Sequence, residues 1–166
     1  FNKQHAGPAG LATALELRLG LATPAAGKAR RVSQYLKASE LCCEHEAPLF
    51  FEHSFQADPW GTATALLNLR DNLRMAGWDG VAPDDAPSRL RGLAALEEQA
   101  KGHLSPSLAD RLAAILQALP DLPAARRPKV ICLDLKEHLP WLIQQVLAEL
   151  DATFDHQRSG EATGPN

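Results

Sequence analysis

The sequence predicts a mainly helical fold with a small β component, in which about six α-helices accompany one buried strand. Apolar residues recur at helical spacing through most of the 166 residues. Several helix starts carry capping and proline signals. One short run, KVICLDL at Lys129 to Leu135, is apolar and β-branched and is typical of a strand covered on both faces. Such a strand needs a neighbour for its backbone groups, either the segment Leu49 to Phe55 or chain outside this sequence.

The first two helices follow from leucine spacing and from glycine and proline stops. The first is expected from about Pro8 to Leu19, where leucines at every fourth position form one stripe and Gly20 ends the helix. The second is expected from about Ala25 to Glu46, with its apolar side chains in the core. Three basic residues of this helix are expected to face water: Arg30, Arg31 and Lys37.

The central helix is the best specified element of the chain. Asp58 can accept hydrogen bonds from the first-turn amides, Pro59 suits the first helical position, and Gly77 is the expected stop. Trp60 and Trp78 are assigned structural roles, as are Asp58 and Pro59. If the Trp60 ring is fully buried, Trp60→Ala should cost about 3 to 5 kcal/mol.

Three further segments complete the predicted domain. Ser88 is expected to cap a helix reaching about Gly102, and Ser105 with Pro106 to start another that ends near Leu119. The proline-rich linker 120–128 cannot stay regular, and a helix from Leu139 to Leu150 is expected to bury Trp141 and pack on the strand. We predict one domain over residues 1–157 and a polar tail at 158–166.

Composition and charge exclude several classes of protein. The formal net charge is -3 and the charges are interleaved, so no long basic tract is available to grip nucleic acid. No apolar run is long enough to span a bilayer. The three cysteines do not form a disulfide framework, which suits a reducing, cytoplasmic location. The start at Phe and the polar end are expected of a piece of a longer protein.

Two segments resemble nucleotide-binding motifs without completing them. Gly27 and Lys28 lack the earlier glycine and the following Ser or Thr of a phosphate loop, which favours an ordinary helix start. VICLD ends in Asp134, as a Walker B strand does, but Leu135 stands where a second acidic residue is usual. These departures favour a structural strand end.

A nuclease pattern is spelled by Asp121, Asp134 and Lys136, in the form PD...DxK. In that class two carboxylates hold magnesium and the lysine steadies the attacking water. The two halves must lie on neighbouring strands, yet the prolines between them leave no room for a first strand. The pattern therefore stands as an alternative interpretation.

The other candidate side chains have structural interpretations that are preferred. Adjacent Cys42 and Cys43, with His45 and His53, lack the CxxC spacing of a zinc site. Asp71 and Arg74 are expected to form an ion pair, and Arg70 to lie on a solvated face, with a phosphate contact as the alternative. These last three residues are the candidate surface contacts.

Two segments carry a family resemblance. SFQADPWGTATALLNLRDNLRMAGWDG, Ser54 to Gly80, resembles a segment of bacterial proteins similar to the B subunit of AddAB (RexAB) helicase-nucleases. GPAGLATALELRLGL, Gly7 to Leu21, followed by RVSQYL, Arg31 to Leu36, resembles the segment that precedes it in those proteins. The resemblance implies a helicase-like accessory region, with Asp134 at a degenerate Walker B position.

The resemblance also implies a biological role. The family joins a helicase-like region to a PD-(D/E)XK exonuclease domain and processes DNA double-strand ends for recombination and repair. The resemblance implies that this region is a non-catalytic scaffold, or a surface that binds DNA or an AddA-like helicase subunit. It implies no cofactor for this region and magnesium for the nuclease domain. Two alternatives stay open: a magnesium nuclease using Asp121, Asp134 and Lys136, and a helical protein-interaction module unrelated to DNA.

Overall fold

The chain folds into seven α-helices and one two-stranded parallel sheet over the residues that the computed structural model describes, 5–21, 26–45 and 49–155. The predicted mainly helical class with a small β component is confirmed. The chain divides into two compact units, which we call unit 1 (1–23 with 108–166) and unit 2 (24–107). The single domain predicted for 1–157 stays a prediction, and the predicted tail, 158–166, lies outside the described residues.

The elements are numbered in chain order. The helices are α1 (Pro8–Leu19), α2 (Lys28–His45), α3 (Glu52–Ala57), α4 (Pro59–Met75), α5 (Ser88–Ala100), α6 (Leu108–Ala118) and α7 (Trp141–Glu149). The strands are β1 (Ile131–Cys132) and β2 (Thr153–Phe154). Short 3₁₀ turns occupy Leu119–Asp121, Ala124–Arg126 and Lys136–His138. The observed bounds of α1 are those predicted, and those of α4 agree within two residues of the predicted stop.

Unit 2 is built around α2, which packs against α4 and α5, while α3 packs against α4. Its core includes the fully buried side chains of Tyr35, Leu67, Leu93 and Leu96. Leu49 to Phe55 is predicted as either a short buried extended segment or a turn, and the structure shows a turn that leads into α3. Phe51 and Phe55 enter this core, as expected for a packing junction, and Phe50 is more exposed.

Both ends of α4 follow from its sequence. The Asp58 carboxylate accepts a hydrogen bond from the amide of Gly61 at 2.9 Å, and Pro59 is the first helical residue. At the other end Gly77 has φ 101°, a conformation that glycine adopts without steric cost. The amides of Gly77 and Trp78 donate to the carbonyls of Arg74 and Leu73. The predicted cap and stop are both confirmed, and the stop is a Schellman motif.

The tryptophans of this segment differ in burial. Trp60 is 49 % exposed, so the expectation of a buried ring is wrong. Trp60 and Leu67 lie seven residues apart and share a face, but Trp60 is in the first turn. Sequence spacing predicts which face of a helix a residue occupies. It does not predict whether the neighbouring elements extend far enough along the helix to cover that residue. Trp78 is partly buried against the core of unit 2, and its indole Nε1 donates to the carbonyl of Val81 at 2.7 Å.

Two predicted serine caps are wrong. Ser88 is the first residue of α5 and Pro87 occupies the cap position, where no side chain caps the helix. The helix expected after Ser105 begins three residues later, at Leu108. The amide of Ser105 instead donates a hydrogen bond to the side-chain oxygen of Gln34, at 2.9 Å. Ser105 is therefore tied to α2 of unit 2.

Unit 1 is organised on α6, which contacts α1 and α7. Its core contains Leu15, Leu112, Ile115 and Val146, drawn from all three helices. Arg111 on α6 reaches Glu16 on α1 through two hydrogen bonds, of 2.8 and 2.6 Å, and both side chains are largely buried. The hydrogen bonds that Arg111 donates to Glu16 raise the pKa of its guanidinium; burial acts in the opposite direction, and the negative charge of Glu16 raises the pKa further.

The strand predicted as buried over 129–135 is much shorter and more exposed. Only Ile131–Cys132 forms β1, and Ile131 is 58 % exposed. Its partner is β2, which runs parallel to β1, and α7 forms the crossover between the two strands. The segment Leu49 to Phe55 therefore does not supply the neighbouring strand. Trp141, expected in the core, is also about half exposed at the start of α7. The apolar composition of a segment shows that its side chains are suited to burial. It does not show whether other parts of the chain pack over them.

Candidate functional site

Unit 2 contains a buried set of charged side chains that joins three of its helices. We call it the ionic network; its members are Arg31 and Tyr35 on α2, Arg70 and Asp71 on α4, and Glu97 on α5. Arg31 and Arg70 are only 8 % and 6 % exposed. Burial of this extent is costly for a charged group without a partner, so the contacts decide its role.

Arg31 joins α2 to α4. Its Nη1 and Nη2 donate to the two carboxylate oxygens of Asp71 at 2.6 and 2.9 Å, in a bidentate pair. Its Nε donates to the carbonyl of Ser105 at 2.9 Å. The expectation that Arg31 faces water is wrong. Arg31 lies one turn before Tyr35 and so belongs to the buried stripe of α2.

Arg70 joins α4 to α5. Its Nε donates to both oxygens of Glu97, at 3.1 and 3.0 Å, and its Nη1 donates to Asp71 at 3.0 Å. The hydroxyl of Tyr35 donates to the same Glu97 carboxylate at 3.1 Å. Burial raises the pKa of Tyr35 far above its ordinary value, and the charge of Glu97 adds to this effect. Tyr35 is therefore a neutral donor at ordinary pH.

The ionic network holds two cations and two anions, so its formal charge is zero. Within the described residues, no buried side-chain nitrogen or oxygen is left without a hydrogen bond. The expectation that Arg70 is a solvated or phosphate-contacting residue is not met, because Glu97 and Asp71 occupy its guanidinium. Arg74 donates to the carbonyl of Trp78 at 3.2 Å, and its pairing with Asp71 stays a prediction. This arrangement fixes helices rather than binding a ligand.

Unit 1 contains a cleft of about 640 Å³, which we call the β1 cleft. One wall is a stripe of α1 with Pro8, Leu11, Ala14 and Arg18, and the other is the segment from Pro128 to Asp134. Leu139, Ile143 and Leu147 complete the lining from α7 and the turn before it. The lining therefore combines apolar side chains with polar and charged groups. The large side chains of Ile131 and Leu133 beside it remain 58 % and 49 % exposed.

The charged groups of the β1 cleft lie towards its two ends. Arg18 Nη1 donates to the carbonyl of Arg126 at 3.1 Å, which brings the last turn of α1 to the start of the strand segment. Arg18 and Lys129 therefore make one end basic. Asp134 lies at the other end of the same strand segment, and His5 lies before the first turn of α1. Asp134 was a candidate from the sequence, as a magnesium ligand of the nuclease pattern, whereas Arg18 and Lys129 were not singled out.

The three residues of the nuclease pattern lie in different local structures. Asp121 ends the 3₁₀ turn Leu119–Asp121, Asp134 follows β1, and Lys136 begins the 3₁₀ turn Lys136–His138. Because β1 pairs with β2, the hairpin that would bring Asp121 beside Asp134 is not formed. Across the described ranges, no group of three or more His, Cys, Asp or Glu side chains is arranged to hold a metal ion.

The zinc and phosphate-loop candidates also lie in ordinary helical surroundings. Cys42 is fully buried in the core of unit 2, whereas burial and the nearby Glu52 raise the pKa of the Cys43 thiol. His45 Nδ1 lies 2.8 Å from the carbonyl oxygen of Leu41 in its own helix, and His53 is exposed. Lys28 begins α2, and the carbonyl of Gly27 accepts from the amide of Arg31 at 3.2 Å, as in any helix start.

Comparison of the chain with protein-family models, with curated proteins and with solved structures gives no match. In the part of the chain that the structure describes, each helix is too short or too polar to traverse a bilayer.

Proposed function

We propose that the chain is a non-catalytic scaffold and partner-binding region of a nuclease that processes DNA double-strand breaks. One observation carries the proposal. The two segments of the sequence resemblance meet in the ionic network, because Arg31 of RVSQYL pairs with Asp71 in the second segment. Tyr35 and Arg70, one from each segment, share the Glu97 carboxylate.

The resembling residues have packing roles, which supports a scaffold rather than a catalyst. Asp58 and Gly77 form the two ends of α4, and Arg70 and Asp71 bind α4 to its neighbours. A buried, neutral and fully paired network supplies no group that can accept a substrate or a phosphate. On this proposal, magnesium and the nuclease residues belong to another part of the protein, and Asp134 has no catalytic role.

The β1 cleft supports the partner-binding part of the proposal. Ordinary monomers rarely expose contiguous large apolar patches, and such patches commonly mark binding surfaces. Ile131 and Leu133 are half exposed along this cleft, and Arg18 and Lys129 add only a small basic end. This chemistry favours protein over nucleic acid as the direct contact. An AddA-like helicase subunit is the partner class that the resemblance suggests, in the cytoplasm.

The proposal is tested by survival of cells after induced double-strand breaks. Cells whose natural protein lacks this region should be sensitive, and cells carrying Asp134→Ala should survive like the wild type. Asp84→Ala, at an exposed loop position of unit 2, is the matched control. Unchanged survival without the region would overturn the proposal and favour an interaction module unrelated to DNA. Sensitivity caused by Asp134→Ala alone would favour the nuclease alternative.

Direct DNA binding is a separate measurement. Single-stranded DNA is titrated with the purified chain between about 50 and about 200 mM salt, because phosphate contacts give an affinity that falls steeply over this range. We expect weak binding throughout. Tight binding at low salt that is lost at high salt would assign the region a DNA surface in place of a protein surface.

A further inference from the structure

One edge of β1 is used by β2 and the other faces away from it. The carbonyls of Val130 and Cys132 accept hydrogen bonds from the amides of Thr153 and Asp155, at 3.0 and 2.9 Å. Backbone groups alternate in direction along an extended strand, so those of Ile131 and Leu133 point to the opposite side. Within the described residues, β2 is the one strand that pairs with β1.

The β1 cleft runs along this second edge. Every residue from Pro128 to Asp134 lines it and neither residue of β2 does, and on this basis we place the cleft beside the second edge. Leu11 from α1 and Ile143 and Leu147 from α7 give it apolar walls. The backbone donors and acceptors of Ile131 and Leu133 thus border a groove that is apolar and wide enough to admit side chains. An exposed strand edge of this kind is a template for a further strand.

The charges of the cleft restrict what can lie there. Arg18 and Lys129 are at the end where the strand segment begins, and Asp134 is at the end where it finishes. A segment with an acidic residue at the first end and a basic residue at the other would match both. Between these ends, apolar side chains at alternate positions would meet the apolar lining.

We infer that the β1 cleft binds an extended segment of a partner protein by strand addition along β1. The segment has alternating apolar residues, an acidic side chain beside Arg18 and Lys129, and a basic side chain beside Asp134. Main-chain hydrogen bonds supply affinity in this mode, and pockets for alternate side chains supply specificity. The inference rests on the proposed partner-binding role, since it names the partner chemistry of the same cleft.

The experiment measures fluorescence anisotropy of labelled peptides with the purified chain. Two peptides carry alternating valines and threonines; one begins with Glu and ends with Lys, and the other is reversed, so that either strand direction is sampled. A third set consists of N-methylated versions of these two peptides. In each, alternate amides are methylated, so that the methyl groups lie along one edge of the extended peptide or along the other. One of the first two peptides should bind, and methylation of the edge that faces β1 should weaken it more than about tenfold, because two or more hydrogen bonds are lost.

A charge exchange tests the orientation. Lys129→Glu should weaken the matching peptide about threefold or more, and a peptide with Lys in place of its Glu should regain affinity for this variant. Arg89→Glu, at an exposed position of α5 in unit 2, is the matched control and should leave binding unchanged. Leu133→Pro, which removes an amide on the second edge, should abolish binding while the β1–β2 pairing is kept.

The inference is overturned if neither peptide binds, or if the affinity stays unchanged both when one edge is N-methylated and when the other is. The latter result would indicate an apolar contact, as with a docked helix, and no strand addition. Peptide binding and survival after double-strand breaks are independent readouts. If the peptide binds but loss of the region does not sensitise cells, strand addition in the β1 cleft is supported and the role in double-strand-break processing is rejected. If cells become sensitive but no peptide binds, the role in double-strand-break processing is supported and strand addition is rejected.

Discussion

In unit 2 the deeply buried charged side chains meet partners of opposite sign, whereas in unit 1 large apolar side chains stay half exposed beside a cleft. Arg31 and Arg70 are almost fully buried and both are paired with carboxylates. Ile131 and Leu133 are about half exposed along the β1 cleft. Unit 1 also has a buried ion pair, Arg111 with Glu16, and unit 2 also exposes Trp60, so neither feature is confined to one unit. The difference is that the ionic network joins three helices of unit 2, which suits a scaffold, whereas the exposed apolar side chains of unit 1 line a cleft, which suits a binding surface.

The largest expected effect comes from opening the ionic network. Arg70→Ala removes the guanidinium that Glu97 and Asp71 share, in largely buried surroundings. Removing one partner of a buried ion pair typically costs about 3 to 5 kcal/mol of unfolding free energy, because a buried charge is left uncompensated. Urea denaturation measures this loss.

The matched control for Arg70→Ala is Lys101→Ala. Lys101 and Glu98 form an exposed ion pair at 3.4 Å, and surface substitutions usually change stability by less than about 0.5 kcal/mol. A loss for Arg70→Ala no larger than the loss for Lys101→Ala would contradict the view that the ionic network holds unit 2 together.

The alkaline behaviour of unit 2 is the next prediction. Tyr35 is the single tyrosine of the chain, and burial raises its pKa in the folded state, with Glu97 adding to the rise. Because the pKa is raised in the folded state, the contribution of un-ionised Tyr35 to the unfolding free energy is complete below the unfolded-state pKa of about 10. This contribution is lost as the pH rises above that value. Above about pH 10, wild-type stability should fall by up to about 1.4 kcal/mol per pH unit more steeply than that of Tyr35→Phe.

Ultraviolet absorbance of the phenolate gives a direct check. In the folded chain Tyr35 should remain un-ionised through the pH range in which the urea-unfolded chain titrates near its ordinary value. Titration of the folded chain at the same pH as the unfolded chain would contradict the placement of Tyr35 in the ionic network.

A smaller effect is expected at Trp60. Because its ring is about half exposed, Trp60→Ala should cost less than about 1 kcal/mol in place of the 3 to 5 kcal/mol of a buried aromatic. Leu67→Ala, on the same face of α4 but fully buried, is the internal comparison and should cost about 2 to 5 kcal/mol on chemical denaturation. Equal losses at the two positions would indicate that Trp60 is covered.

The smallest effect on stability is expected at the strand edge of unit 1. Ile131→Thr keeps a β-branched side chain at an exposed position and should change the unfolding free energy by less than about 0.5 kcal/mol. Ile115→Thr in α6 is its buried counterpart and should cost more than about 2 kcal/mol, since it removes packing and buries a hydroxyl. A large loss for Ile131→Thr would mean that this side chain supports the fold.

Local sequence signals predicted the ends of α1 and α4 accurately. Asp58, Pro59 and Gly77 act through backbone groups within a few residues of their own position, and α4 begins and stops where they indicate. Gly20, with φ 70°, likewise ends α1 at the predicted residue. Such signals need no knowledge of the rest of the chain. The serine caps predicted at Ser88 and Ser105 were wrong, because a serine that can cap a helix does not by itself fix where the helix begins.

Features that depend on distant residues could not be predicted in this way. Arg31 was placed in water because arginine is usually exposed, although its partner Asp71 lies forty residues away. Its position on the stripe of Tyr35 was the one available signal. The exposure of Trp60 and Ile131 depends on how far neighbouring elements extend, and the β1–β2 pairing joins residues more than twenty positions apart.

The proposal that this chain is a non-catalytic scaffold and binding region is tested most directly with a nuclease assay. The purified 166-residue chain is incubated with linear DNA and magnesium, and we expect no degradation by the wild type or by Asp134→Ala. Degradation by the wild type that disappears in Asp134→Ala, and persists in the matched Asp84→Ala variant, would contradict the account and identify the chain as a nuclease.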